Sequence, residues 1–179
     1  MPLFIITGAI DSGKTTYCER ILLGHNGTKR EGVLLKKVFR HDECVGYDAF
    51  RIGRGQQVAF TRRTDREPEG WDPLERVGPF SVSRSGKETA NNWVLEAYST
   101  GTVGLIVDEV GPLETAGGGL SDSVSYVVNR ISRERELFVV VRRSWLDTVV
   151  RYFSIKDYRL ICIPFTNGES AHSSSVRSA

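Results

Sequence analysis

Two stretches of this chain carry the residue types that chemistry on a polyphosphate needs. Gly8-Ala9-Ile10-Asp11-Ser12-Gly13-Lys14-Thr15, followed by Thr16, fits the spacing G-x-x-x-x-G-K-[ST]. A loop of this kind turns successive backbone N–H groups onto an anion. Gly8 and Gly13 supply the torsion freedom and the missing Cβ that let backbone approach phosphate oxygens. A helix starting near Gly13 adds the positive end of its dipole at the same point. Lys14 then neutralises β- and γ-phosphate oxygens, and the Thr15 hydroxyl takes one position on Mg²⁺. The second stretch is Leu105-Ile106-Val107-Asp108-Glu109, an apolar run ending in two acids. Asp108 is placed to hold Mg²⁺ directly or through water, and Glu109 to accept a proton from an attacking water. Strands often end in acids, so this stretch means little alone. Beside a phosphate loop it supplies the acidic partner that the metal requires.

A third candidate is Arg142-Arg143, straight after the apolar run Leu137 to Val141. A solvated or salt-bridged pair is the favoured account; the other is that one of the two, with Arg142 as the candidate, reaches the γ-phosphate as an arginine finger supplied in cis. Together these groups point to hydrolysis of a nucleoside triphosphate such as ATP or GTP. Two other classes stay open. A nucleotide or nucleoside kinase would use the segment 62–76, with Arg62, Arg63 and Arg66, as a lid. A nucleotide-dependent regulatory protein would bind without turnover. No Asn-Lys-x-Asp stretch of the guanine-reading kind occurs, and the three histidines share no metal-ligand spacing.

These residues need elements to hold them. Leu3 to Ile6 reads as a short buried strand, and Tyr17 to Leu23 as part of a helix, so the phosphate loop has strand before it and helix after it. Residues 22–27 read as a helix end and turn. Strands are expected over 32–38, 45–52 and 56–61, the last two as a hairpin across Gly53-Arg54-Gly55. Residues 62–75 read as a long loop, with Trp71 packing it down. Arg76 to Val82 reads as one short strand and Lys87 to Ser99 as a helix. Val103 to Val107 and Leu137 to Val141 read as fully buried parallel strands. Ser121 and Ser144 are expected to cap helices, the first running to about Arg133. Leu160 to Ile163 is the last strand, and the Ser-rich residues 166–179 read as a disordered tail. Strands alternating with helices call for a three-layer α/β fold with a mainly parallel sheet and an inserted β-hairpin, one domain over residues 1–165.

Composition narrows the class. The chain has 179 residues, 40% hydrophobic and 26% charged, which suits one soluble domain. No apolar run reaches membrane-span length, and the first apolar residues lead directly into the phosphate loop rather than to a cleavage site. Cys18, Cys44 and Cys162 are far apart and contain no C-x-x-C, so neither a disulfide framework nor a zinc ribbon is expected; the chain reads as cytoplasmic. Net charge is only +2, yet residues 29–66 hold ten Lys/Arg against five acids. Solvated strand faces and loop tips are the favoured account; a polyanion-binding face for nucleotide phosphates or RNA is the other.

Four stretches resemble the THEP-type nucleoside-triphosphatases, small P-loop proteins. They are Thr7-Gly8…Gly13-Lys14-Thr15-Thr16, Val45-Gly46-Tyr47, Arg76-Val77-Gly78-Pro79-Phe80-Ser81-Val82, and Ile106-Val107-Asp108-Glu109-Val110-Gly111-Pro112-Leu113-Glu114. The last is similar to that family's Asp-Glu-Ile-Gly-x-x-Glu motif. The resemblance covers residues 3 to 163 and implies a RecA-like P-loop fold. It also implies slow, Mg²⁺-dependent hydrolysis with broad base use, Asp108 on the metal and Glu109 as base. Two departures stand out. Leu35-Lys36-Lys37 is basic where family members carry an acidic segment, and Asp11 puts an acid inside the anion-binding loop.

Overall fold

The computed structural model describes residues 3–23, 30–164 and 176–178. Along the chain run β1 (Leu3–Gly8), α1 (Lys14–Leu23), β2 (Arg30–Arg40), β3 (Glu43–Ile52), β4 (Gln57–Arg63), β5 (Pro73–Val77), β6 (Phe80–Ser83), α2 (Arg84–Ser99), β7 (Gly104–Val110), α3 (Pro112–Thr115), α4 (Ser121–Val128), β8 (Glu136–Arg142), a 3₁₀ turn (Arg143–Trp145), α5 (Leu146–Tyr152), β9 (Arg159–Ile163) and β10 (Val176–Ser178). The strands form one sheet, in the order β10-β9-β1-β8-β7-β2-β3-β4-β6-β5. Its central block, β9-β1-β8-β7-β2, is parallel. From β2 outward the sheet turns antiparallel through β3, β4, β6 and β5.

The parallel block follows from side-chain alternation. Strand residues face opposite sides in turn. Leu3 and Ile5 of β1, Leu105 and Val107 of β7, and Leu137, Val139 and Val141 of β8 share one core with Val94 of α2, Val124 of α4 and Val149 of α5. Ile6, Ile106, Phe138 and Val140 point to the other face, under Cys18, Tyr17 and Ile21 of α1. A strand apolar on both faces can only sit between two helical layers. This is the three-layer α/β arrangement that the sequence predicts.

The antiparallel wing is larger than the single hairpin expected. Residues 62–75 are not one loop: β4 continues to Arg63 and β5 begins at Pro73. Residues 76–82 are likewise two strands, because Gly78 adopts φ +55° and the chain folds back at Gly78-Pro79 to pair Val77 with Phe80. Helix boundaries move for local reasons. α2 starts at Arg84, since the Ser83 hydroxyl caps it by accepting from the Gly86 N–H at 2.9 Å. Ser121 is the first residue of α4, with Leu120 at the cap, and α4 stops at Val128. Ser144 lies within the 3₁₀ turn that leaves β8 directly, so Trp145 occupies the cap position of α5. The turn expected at 22–27 lies outside the described residues from residue 24 onward. So does most of the tail, of which Val176–Ser178 forms β10 antiparallel to β9.

Among the described residues, several basic groups of the segment 29–66 face acids. Lys36 pairs with Glu19 at 2.7 Å, Arg51 with Glu96 at 2.7 Å, Arg62 with Asp48 at 2.6 Å and Arg63 with Glu43 at 2.7 Å. Trp71 donates its indole N–H to the Ser81 hydroxyl at 2.8 Å, which packs the 64–72 connection onto β6.

α2 crosses the wing at a glycine. A Cβ on Gly86 would stand 2.1 Å from the Ala59 carbonyl oxygen of β4. Helix propensity favours alanine over glycine by roughly 1 kcal/mol, but a backbone clash outweighs that. Gly86→Ala is therefore expected to destabilise by about 2–3 kcal/mol, a fall in Tm of roughly 4–12 °C by thermal denaturation.

Candidate active site

The phosphate loop spans the end of β1 and the start of α1. Asp11 (φ 61°) and Gly13 (φ 84°) take left-handed conformations that turn the loop. A Cβ on Gly8 would meet the Ser12 Oγ at 2.4 Å and the Ile163 backbone carbonyl oxygen of β9 at 2.9 Å, and the second contact, with backbone, is the one that calls for glycine. The Lys14 ammonium is buried and crosses the loop to donate to the Ala9 carbonyl at 2.7 Å. Asp11 is well exposed and ion-paired with Lys37 of β2. The two departures from the family pattern are thus each other's partners: the acid placed in the loop is neutralised by the lysine placed on the second strand.

Asp108 and Glu109 lie near the end of β7, two strands from β1, with β8 between. The Thr15 hydroxyl donates to Asp108 Oδ2 at 2.8 Å, joining residues 93 positions apart. Arg142, at the end of β8, donates from Nε to Glu109 Oε1 at 2.5 Å. Sequence reasoning left Arg142 between a phosphate ligand and a salt-bridged residue; the pairing is with Glu109. Lys14, Thr15, Glu109 and Arg142 line one cavity of about 410 Å³ at the mouth of the loop, with Ile10, Asp11, Gly13 and Thr16. Ala9 flanks it through the carbonyl that holds Lys14. Leu35, Lys37 and Tyr47 line the same cavity. Sequence analysis offered the basic 29–66 segment as a face for nucleotide phosphates without placing any of these residues at the loop, because nothing in strand periodicity says which strand end reaches another loop.

Burial pushes the Asp108 carboxyl up to about 7, with Glu109's charge adding to the effect and the Thr15 hydrogen bond and Lys14 opposing it. A divalent cation would favour the ionised form again. The donor set suits magnesium: a hydroxyl and a carboxylate 2.8 Å apart, both hard oxygens, beside room for phosphate oxygens. The Ser12 hydroxyl, buried in the loop, has no protein partner. Among the described residues no cluster of three His, Cys, Asp or Glu is placed to hold a metal without help from a ligand.

Arg62, Arg63 and Arg66 do not form an open lid. The first two belong to β4, and all three are engaged by carboxylates, Arg66 at 3.9 Å from Glu43.

Glu114 is buried in α3, its two carboxylate oxygens accepting the Gly111 N–H at 2.9 Å and the Leu120 N–H at 3.2 Å. Burial pushes its carboxyl up from the ordinary 4.5 to about 7 despite those bonds. The native state therefore keeps a proton that the unfolded chain releases between about pH 4.5 and 7. Stability should fall as pH rises through that window and level off above it, Asp108 acting in the same direction. Urea denaturation of the metal-free protein should show a shallower slope for Glu114→Gln than for wild type.

Comparisons with known proteins agree with this geometry. A family model described as an NTPase matches residues 3–173. The solved structure titled "Solution Structure of a Human Cancer-Related Nucleoside Triphosphatase" superposes with a TM-score of 0.62 at 15% identity, covering 94% of this chain and 90% of that one; at that identity the likeness is one of fold. The curated proteins contain no match. With a phosphate loop on β1, paired acids on β7 and a family match over nearly the whole length, the chain belongs to the NTPase family of THEP-type P-loop nucleoside triphosphatases.

Proposed function

We infer that the protein hydrolyses nucleoside triphosphates to diphosphate and phosphate with Mg²⁺, slowly and with several bases, as a cytoplasmic enzyme. The observation that carries this is the convergence of Lys14, Thr15, Asp108, Glu109 and Arg142 at the mouth of one loop. No helix among the described residues is long and apolar enough to cross a membrane.

Residues Gly8 to Thr16 would wrap the phosphates. Lys14 would exchange the Ala9 carbonyl for β- and γ-phosphate oxygens. That exchange trades a neutral acceptor for an anionic one and so favours the triphosphate. Thr15 and Asp108 would hold Mg²⁺, which supplies charge neutralisation on the β- and γ-oxygens. Glu109 would orient a water and take its proton. In the ligand-free arrangement Arg142 holds that carboxylate. A γ-phosphate offers Arg142 a stronger anionic partner, and its departure frees Glu109 for the water. One arginine would then serve both states: it restrains the base without substrate and stabilises the transferring phosphoryl group with it.

Phosphate release and nucleotide binding, measured side by side with ATP and GTP, test these roles. Glu109→Gln should abolish release and keep binding. Arg142→Ala should lower kcat by about 10²–10³-fold with a small change in affinity. Unchanged release in Glu109→Gln would remove that residue from the mechanism.

A further inference from the structure

Beside the phosphate cavity lies a second one, built from the antiparallel wing and the segment that follows β7. Tyr47 of β3, the Val77-Gly78-Pro79-Phe80 turn between β5 and β6, and Gly111-Pro112-Leu113-Glu114 after β7 enclose one cavity of about 420 Å³. Its volume lies within the roughly 300–1,000 Å³ of small-molecule sites. Phe60, Val77, Phe80 and Leu113 make it predominantly apolar, and the rings of Tyr47 and Phe80 meet edge to face at 5.7 Å. Flat proline and aromatic faces of this kind suit a planar ring.

The cavity adjoins the phosphate site. Leu35, Tyr47, Glu109 and Arg142 line both, so the Glu109–Arg142 pair stands between them. Strand order fixes which end of a nucleotide faces it. The phosphate loop sits on β1, and the cavity lies on the side of β7, β2 and the wing. The γ-phosphate, nearest Thr15, Asp108 and Glu109, would point at the cavity, while the nucleoside of the same molecule runs back toward β1 and β9. The cavity is therefore not the place for the nucleotide's own base.

We propose that this cavity binds a second small molecule, an uncharged aromatic alcohol of nucleoside size, whose hydroxyl takes the γ-phosphoryl group in place of water. The proposal rests on the triphosphate reading of the phosphate loop. Glu109 accepts the hydroxyl proton as the alcohol oxygen bonds to the γ-phosphorus. The bond from that phosphorus to the β,γ-bridging oxygen breaks, and the diphosphate leaves with the bridging oxygen. Products are the phosphate ester, the nucleoside diphosphate and one proton. The ring lies against Phe80 and Leu113, and the hydroxyl end faces the carboxylate that otherwise positions water.

The test incubates the full-length protein with Mg²⁺ and γ-³²P-ATP or -GTP, with adenosine, guanosine, cytidine, uridine or the phenolic alcohol tyrosol at millimolar concentration. Labelled ester and free phosphate are separated by chromatography. At least one alcohol is expected to become labelled and to reduce free phosphate release in proportion. Val77→Trp, which plugs the cavity from β5, should lower ester formation tenfold or more, its own phosphate release reporting an intact phosphate site; Val77→Phe is a smaller plug, read the same way should the tryptophan variant unfold. Phosphate release with no labelled alcohol overturns the acceptor site and leaves the triphosphatase reading standing. Neither phosphate nor ester from any mixture overturns both. Ester formation unaffected by either plug places the acceptor elsewhere and overturns this cavity as its site.

Discussion

The hydrogen bond from Thr15 to Asp108 is the constraint on which the rest of the site depends. It joins the first turn of α1 to the end of β7 across β8, between residues 93 positions apart. Neither side chain could keep this geometry without the parallel block beneath it. Val139 of β8 pairs with Ile5 on one side and Val107 on the other, which sets the two strand ends level. The site is thus a property of register. A slip of one residue in β7 would send Asp108 to the opposite face of the sheet and out of reach of the loop.

Charge is handled differently at the centre and at the rim. At the centre a buried carboxylate, a buried lysine and a half-buried acid–arginine pair stand close together with few acceptors beyond their own backbone. Lys14 resorts to the Ala9 carbonyl, and Asp108 to one hydroxyl and a raised pKa. Such an arrangement is poised for a polyanion and a divalent cation, because each would satisfy groups that the protein alone satisfies weakly. At the rim, Asp11 and Lys37 offset each other. The acid within the loop is thereby offset by a base on the neighbouring strand. Exposed pairs of this kind contribute little to stability; the role of this one is to cancel a local negative charge.

The antiparallel wing explains why the chain is larger than a bare phosphate-binding core. β3, β4, β6 and β5 extend the sheet beyond β2, and α2 seats on them through Gly86, where the backbones come close. The wing carries Tyr47, Phe60 and Phe80 to the far side of the Glu109–Arg142 pair, where they wall a second cavity. It also sets four basic residues of β2 to β4 against acids, Lys36 on Glu19, Arg51 on Glu96, Arg62 on Asp48 and Arg63 on Glu43.

The sequence by itself determined the local parts. Spacing sufficed for the phosphate loop, because backbone N–H groups and glycine torsions act within eight consecutive residues. Unbroken apolar runs sufficed for β7 and β8, because a strand covered on both faces has no polar side. Partial alternation identified β3, and the tight Gly53-Arg54-Gly55 connection marked β4 as its hairpin partner. Helix starts and stops were less legible: Ser83 rather than a later residue caps α2, while Ser121 and Ser144, equally good cap types, do not cap. The choice depends on how the preceding strand or turn delivers the backbone. Only the tertiary structure decided partnerships. Arg142 meets Glu109, Asp11 meets Lys37, and Tyr47 stands over both cavities, each through strand order and register that no short stretch of chain encodes. The physical reason is range. Torsion preference and burial pattern act over a few neighbouring residues, whereas a site is assembled by a sheet that brings together strand ends distant in sequence.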